Sequence, residues 1–412
     1  MDIKLSLIKV IRTERLTLSG SKSETNRLLL LQALFPEIAI KNISDSDDST
    51  VMQQALNSSS NVIDVHHAGT TMRFLTAYYA IQEGRGVTLT GSKRMQQRPI
   101  GVLVEALRNL GADITYIEKE GYPPLKITGK KITKSKVSIN ANVSSQYITA
   151  LLLIAPKLEN GLEITLQGEV TSLPYIKMTL ALLNETEIKA SMDRNVIKVQ
   201  PKTKNKIPIS LIVESDWSSA SYFYAIVALS PLGSMLTLSS FKEKSLQGDT
   251  ALVDIYDHLG VTTTFIDNAI TLRKASVHEL STINLALNNT PDIAQTIAVT
   301  CFGLGIECHL TGLHTLKIKE TDRLEALKTE LKKFGAKITV THDSLTLKKF
   351  MDSLPVNKEV TVATYNDHRM AMAFAPLALK TPIIIQDAEV VSKSYPAFWD
   401  DLKKVGFTIN RL

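Results

Sequence analysis

Ser19-Gly20-Ser21-Lys22-Ser23-Glu24-Thr25-Asn26-Arg27 runs directly into Leu28-Leu29-Leu30-Leu31. The stretch reads as the start of a helix: Ser21 or Ser23 can cap free backbone N–H groups, and Lys22 and Arg27 bring positive charge into the first turns. Helix starts ordinarily favour Asp or Glu, because the backbone dipole is positive there. Two cations among three hydroxyls therefore suit a bound anion such as phosphate. Taken alone, the same residues are better read as a solvated cap. The pattern's recurrence is what gives it weight.

Five more segments pair a polar head with an apolar helical run. They begin at Ala68 (AGTTMRFLTAYYA), Val143 (VSSQYITALLLIA), Asp216 (DWSSASYFYAIVAL), Thr290 (TPDIAQTIAVTCF) and Tyr365 (YNDHRMAMAFAPLAL), advancing by 75, 73, 74 and 75 residues. A second helical set runs in step from Arg98, Leu173, Gly248, Lys319 and Tyr395, with 49–58 as its sixth member. Most of these end in Gly or Asn before an alternating stretch, the stop signal of a helix that leads into a strand. Short β-branched runs such as Gly86-Val87-Thr88-Leu89-Thr90-Gly91 lie between the sets. Each unit reads strand, helix, strand, helix, then strands. Six such units pack naturally as two α/β domains of three, and the apolar first helix of each should be buried. The junction is expected near Val213-Glu214-Ser215, after the Lys-rich stretch 201–208. Residues 1–20 are then expected to join 215–412 as one domain and 21–214 to form the other, with the heads of facing domains lining a shared cleft.

Composition narrows the function. The 412-residue chain is 44% hydrophobic and carries a formal charge of +6, with no long Lys/Arg run. Two cysteines, Cys301 and Cys308, sit in an apolar stretch away from ligand-spaced histidines, so neither a zinc site nor any other metal is expected. No segment has the length of a membrane span and no leader pattern opens the chain, so a cytoplasmic protein is expected.

The heads hold the candidate chemistry. Gly69 precedes Thr70 and Thr71, where bare backbone can approach an anion. Arg98 stands before Pro99, read as opening a helix, and suits a carboxylate or phosphate. Ser144, Ser145 and Gln146 offer two hydroxyls and an amide. Asp292 falls in a first helical turn, where a dipole-favoured carboxylate is the default reading. Lys319 and Arg323, four apart, are expected to share a helix face around Glu320, whose ionised carboxyl suits acid–base work. Asp367, His368 and Arg369 form the last head, and Lys393 adds a cation before the last helix. No phosphate-loop or complete dinucleotide motif is present.

In this order, SGSKSETNR, AGTTMR, RPIG, SSQY, SLPY, PD, KETDR, NDHRMAM and KSYP resemble the 5-enolpyruvylshikimate-3-phosphate synthase family over essentially the whole chain. The resemblance implies a two-domain inside-out α/β barrel built from six βαβαββ repeats, three per domain. It also implies transfer of the enolpyruvyl group of phosphoenolpyruvate to shikimate 3-phosphate, with no cofactor. Matched motif by motif, Ser23, Arg27, Ser144, Ser145, Gln146, Ser172, Tyr175, Asp292 and Lys319 become shikimate 3-phosphate contacts. Lys22, Gly69, Arg98, Gln146, Arg323, Arg369 and Lys393 become the phosphoenolpyruvate clamp. Asp292 and Glu320 match the proton-transfer pair and His368 the histidine near the reacting centre. Glyphosate inhibition at the phosphoenolpyruvate position, with Gly69 leaving the room, is also implied.

The chemistry explains such a set: three arginines and two lysines offset the repulsion between a carboxylate and a phosphate, while an acid protonates the alkene and a base takes the hydroxyl proton. Glu320 with Lys22 is the preferred acid and Asp292 the preferred base, with the reverse assignment left open. Three residues depart from the family pattern: His67 and Thr315 where Asn is usual, and Phe74 where Pro is common. The related transferase acting on UDP-N-acetylglucosamine usually has Asn where Ser23 stands and a catalytic loop Cys. A polyanion binder would spread its cations as a stripe instead of confining them to helix heads among Asp292, Glu320 and Asp367. No nucleic-acid or membrane partner is expected, and a monomer is the expected state.

Overall fold

The computed structural model describes residues 1–6, 15–142, 144–170, 172–202, 208–277, 280–348 and 359–412. The expected start of the third head at Val143, and residues 203–207 of the Lys-rich stretch, lie outside them. Among the described residues the α-helices are α1 (Lys22–Leu34), α2 (Asp47–Leu56), α3 (Gly69–Ala80), α4 (Gly101–Leu110), α5 (Ser145–Ile154), α6 (Leu173–Glu185), α7 (Trp217–Leu229), α8 (Leu252–Asp257), α9 (Ala294–Leu304), α10 (Arg323–Lys333), α11 (His368–Phe374) and α12 (Phe398–Lys404). The chain divides into two compact units, Gly20–Val213 and Met1–Ser19 with Glu214–Leu412.

One sheet plan recurs in both units. Val62–Asp64 runs parallel to Gly86–Thr90, which pairs antiparallel with Leu125–Thr128, itself the partner of Asp113–Tyr116. The register sets Ile63 beside Leu89 and Leu89 beside Leu125, so one face is apolar throughout. Alternate residues of each strand therefore face the helices. Lys136–Asn140, Leu162–Gln167, Val196–Val199 and Ala190–Asp193 repeat the plan, as do Thr282–Ala286, Glu307–Thr311, Leu345–Lys348 and Lys337–Val340. Three sheets instead recruit a strand distant in sequence. Ile209–Ile212 runs parallel to Ile38–Lys41, and Arg15–Thr17 runs parallel to Met235–Ser239. Ile3–Ser6 lies between Ile383–Ile385 and Thr408–Arg411.

The odd-numbered helices form the cores: α1, α3 and α5 pack together in one unit, and α9 packs against both α7 and α11 in the other. All 13 residues of α7 are buried, as its unbroken apolar composition requires. Truncating a residue such as Leu30, at 0% exposure, would cost about 2–5 kcal/mol through lost transfer energy and the cavity left behind. The even-numbered helices are one-sided. In α4 the buried positions are Leu103, Val104, Ala106, Leu107 and Leu110, a single stripe, and Gly111 ends the helix at φ 111° with its N–H on Leu107 O. A helix buried at every side can meet solvent only at its ends. The odd helices therefore present their polar heads as the accessible part.

Local readings are corrected in three places. Ser21 occupies the N-cap position of α1, but its hydroxyl makes no capping bond; it is buried and without a hydrogen-bond partner among the described residues. Pro99 does not open a helix: α4 begins at Gly101, and Pro99 O instead accepts from Arg73 and Tyr147. Lys319 and Arg323 do not share a helix face. Lys319 has extended backbone, Asp322 caps α10 on the N–H groups of Leu324 and Glu325, and Arg323 is the first helical residue.

Candidate active site

In the unit Gly20–Val213, the heads of α1, α3, α5 and α6 supply a cationic and hydroxylic cluster. Arg27 is buried and donates to Ser23 O at 2.6 Å, Thr179 Oγ1 at 2.9 Å, Tyr175 O at 3.4 Å and Thr149 Oγ1 at 3.5 Å, all uncharged oxygens. Its guanidinium carbon lies 5.7 Å from the Phe74 ring centre and 5.8 Å from that of Tyr175. Burial pushes the group down to about 10, opposed only by weaker attractions to Tyr175 and Glu24. A cation desolvated against neutral partners gains most from an incoming anion.

Arg98 is buried, with Nε lacking a hydrogen-bond partner among the described residues. Its guanidinium lies against Gly69: a Cβ placed there would sit 2.6 Å from one terminal nitrogen and 2.9 Å from Cζ. Only glycine allows that approach. Gln146 Nε2 donates to Thr70 Oγ1 at 3.3 Å, joining the α5 and α3 heads, and Ser144 Oγ caps the Gln146 N–H. Lys22 Nζ stands 3.6 Å from Asp48 Oδ2. Ser145 is buried beside these, and Ser172, at φ 56°, caps α6 by position without a side-chain bond.

In the other unit, a charge-paired cluster gathers the heads of α9, α10 and α11. Arg323, only 1% exposed, donates Nε to Asp367 Oδ2 at 2.6 Å, Nη1 to Asp292 Oδ1 at 3.0 Å and Nη2 to Glu320 Oε2 at 2.8 Å. Asp292 also meets Lys319 Nζ at 3.5 Å and Arg369 Nη2 at 3.4 Å. Burial alone would push the Asp292 carboxyl up, but Arg369, Lys319 and Arg323 together hold it well below the usual range. Asp367 caps the Arg369 N–H, and His368, also buried, has Nδ1 3.8 Å from Asp367 Oδ1. Lys393 Nζ donates to Asn366 O at 2.5 Å.

The sequence passed over a second layer. Arg369 Nη2 also donates to Ser218 Oγ at 3.4 Å, and Ser218 in turn donates to buried Asp249. Burial, with the nearby Asp292 charge, pushes the Asp249 carboxyl up to about 7. Asp48 and Arg73 were missed likewise. An acid at a helix start reads as a dipole-stabilised side chain, so only the contacts separate Asp249 from that default.

The family model described as EPSP synthase (3-phosphoshikimate 1-carboxyvinyltransferase) matches residues 49–402. The chain belongs to the EPSP synthase family. It is 47% identical to the 3-phosphoshikimate 1-carboxyvinyltransferase of Bacteroides fragilis, covering 95% of each chain. With the Haemophilus influenzae relative of that name it shares 37% identity over 98% of this chain and 99% of the relative. Among solved structures it resembles EPSP synthase from Acinetobacter baumannii (TM-score 0.78, 20% identity, all of both chains). It also resembles the enolpyruvyl transferase NikO from Streptomyces tendae (TM-score 0.74, 12% identity, 99% and 98% of the two chains). At these identities the structural likeness concerns the fold, which is the two-domain inside-out α/β architecture.

Three positions give this member of the EPSP synthase family its own local character. His67 Nδ1 pairs with Ser92 Oγ at 2.8 Å on an exposed loop. Thr315 Oγ1 is buried without a hydrogen-bond partner among the described residues. Phe74, fully buried in α3, supplies one of the rings beside Arg27. No helix among the described residues is long and apolar enough to cross a membrane.

Proposed function

We propose that the residues above carry out the reaction of the EPSP synthase family: transfer of the enolpyruvyl group of phosphoenolpyruvate to the 5-hydroxyl of shikimate 3-phosphate, with release of phosphate. The observation that carries their assignment is Asp292, a buried carboxylate bracketed by Lys319, Arg323 and Arg369. Each of those cations suits an anionic substrate, and each that turns toward one releases its hold on Asp292. Substrate binding thereby raises the proton affinity of a carboxylate that is otherwise a poor base.

In this reading Arg27, Ser23, Ser144, Ser145, Ser172, Gln146, Tyr175 and Lys319 hold shikimate 3-phosphate, while Lys22, Gly69, Arg98, Gln146, Arg323, Arg369 and Lys393 hold phosphoenolpyruvate. Asp292 takes the 5-hydroxyl proton as that oxygen bonds to the alkene's substituted carbon. Glu320, with Lys22, delivers a proton to the methylene. The result is a tetrahedral intermediate; loss of a proton from the new methyl group and departure of phosphate restore the alkene. His368 sits beside Asp367, one of the carboxylates that orient Arg323. The charge of both substrates, which do not cross a bilayer unaided, supports a cytoplasmic setting.

The test is phosphate release with each substrate alone and with both together. Release only with both supports the reading; release with UDP-N-acetylglucosamine in place of shikimate 3-phosphate overturns it.

A further inference from the structure

Tyr365 and Asn366, consecutive and neither of them glycine, have φ of 55° and 54°, immediately before Asp367, His368 and Arg369. Left-handed backbone is sterically disfavoured for any residue with a Cβ, and more so for a bulky one such as Tyr. Two in succession persist only where their surroundings fix them.

The fixing group is Glu330 of α10, completely buried one helix away. Its Oε1 accepts the Tyr365 hydroxyl at 2.6 Å, and its Oε2 accepts the Ala363 N–H at 3.0 Å and Lys333 Nζ at 2.6 Å. Lys333 also reaches Thr361 O at 3.1 Å, and the Asp367 N–H closes the turn on Thr364 O at 2.9 Å. The turn has two outputs. The Asn366 carbonyl takes Lys393 Nζ at 2.5 Å, and Asp367 is delivered to Nε of Arg323 and to the N–H of Arg369.

We propose that Glu330 and Tyr365 are positioning residues, a carboxylate–phenol clamp that holds the 365–366 turn left-handed and so sets Lys393, Arg323 and Arg369 for phosphoenolpyruvate. Glu330 lies two helical turns beyond Arg323, so one helix fixes both the guanidinium and the turn that brings Asp367 to it. The inference rests on those three cations serving as the clamp in the function proposed above.

The experiment compares steady-state kinetics of Tyr365→Phe and Glu330→Gln with Lys393→Ala and Arg369→Ala. Tyr365→Phe removes one hydroxyl from a partly exposed ring, so folding is retained, and thermal melting checks it. The expected result is a rise of about tenfold in KM for phosphoenolpyruvate, as for loss of one hydrogen bond to a charged group, with KM for shikimate 3-phosphate within about twofold. Unchanged KM values, or equal rises for both substrates, overturn the proposal and leave Glu330 a brace for the fold. If Lys393→Ala and Arg369→Ala leave the phosphoenolpyruvate KM unmoved, the clamp assignment itself has failed.

Discussion

Arg323 at the start of α10 and Arg27 in the second turn of α1 are both buried arginines, but their surroundings differ in charge. Arg323 meets Asp292, Glu320 and Asp367 within 3.0 Å, whereas Arg27 donates only to hydroxyl and carbonyl oxygens between two aromatic rings. The first is compensated internally and its geometry is fixed before any ligand arrives. The second holds a desolvated cation hydrogen-bonded to neutral dipoles, with only a weaker attraction to Glu24, so it gains most when an anion binds. In the function proposed above, the first cluster contributes the carboxylates of proton transfer and the second most of the contacts to shikimate 3-phosphate.

That contrast yields measurements in descending order of expected effect. Lys22→Ala or Glu320→Ala should lower kcat by about a thousandfold while the melting temperature holds, since proton transfer and its electrostatic support contribute that much. Unchanged turnover would remove either residue from the proton-transfer role. Arg323→Met should destabilise the fold by about 3–5 kcal/mol in denaturant melts, because three carboxylates lose their shared partner. Arg27→Met should instead leave the melts nearly unchanged or improved, while affinity for shikimate 3-phosphate collapses. Equal destabilisation by the two would erase the contrast.

Asp249 gives a pH signature. Its folded value of about 7 lies above the ordinary carboxyl value of 3.8, so the folded state binds the proton more tightly. The contribution is most favourable below pH 4 and is lost as pH rises toward 7. Asp249→Asn should therefore gain stability over the parent across that window, by up to about 4 kcal/mol, and then hold a constant lead. Parallel stability curves would show that Asp249 is not buried in this state. Gly69→Ala, which forces Arg98 aside, should raise KM for phosphoenolpyruvate by about tenfold with little change for the other substrate. Equal effects on both would place Arg98 elsewhere in the reaction.

The legible part of the molecule was what repeats. A helix apolar on every side must be buried, and the spacing of its polar heads in sequence showed the repeat and most of the candidate residues, while Ser172 and Tyr175 came only with the family resemblance. Contacts at the helix starts were harder to read. Ser21 looks like a cap and makes no capping bond, because position alone does not say which way a hydroxyl points. Lys319 and Arg323 look like neighbours on a helix, yet the helix starts at Arg323 and the two meet through Asp292. Asp249, Ser218 and Glu330 act across long sequence separations, where local patterning carries no signal. Tyr365 gives no warning of left-handed backbone, whereas Asn366 is of the type that adopts it most readily after glycine.

The pairing of Ile3–Ser6 with Ile383–Ile385 and Thr408–Arg411 bears on how the polypeptide is made. Residues 20–213 form an unbroken stretch that can fold as it leaves the ribosome, whereas Ile3–Ser6, which precedes it, must wait for partners translated last. Nascent Ile3 and Leu5 therefore spend most of translation without the neighbours that will bury them, and a chain stopped anywhere before residue 383 holds that strand open to other chains.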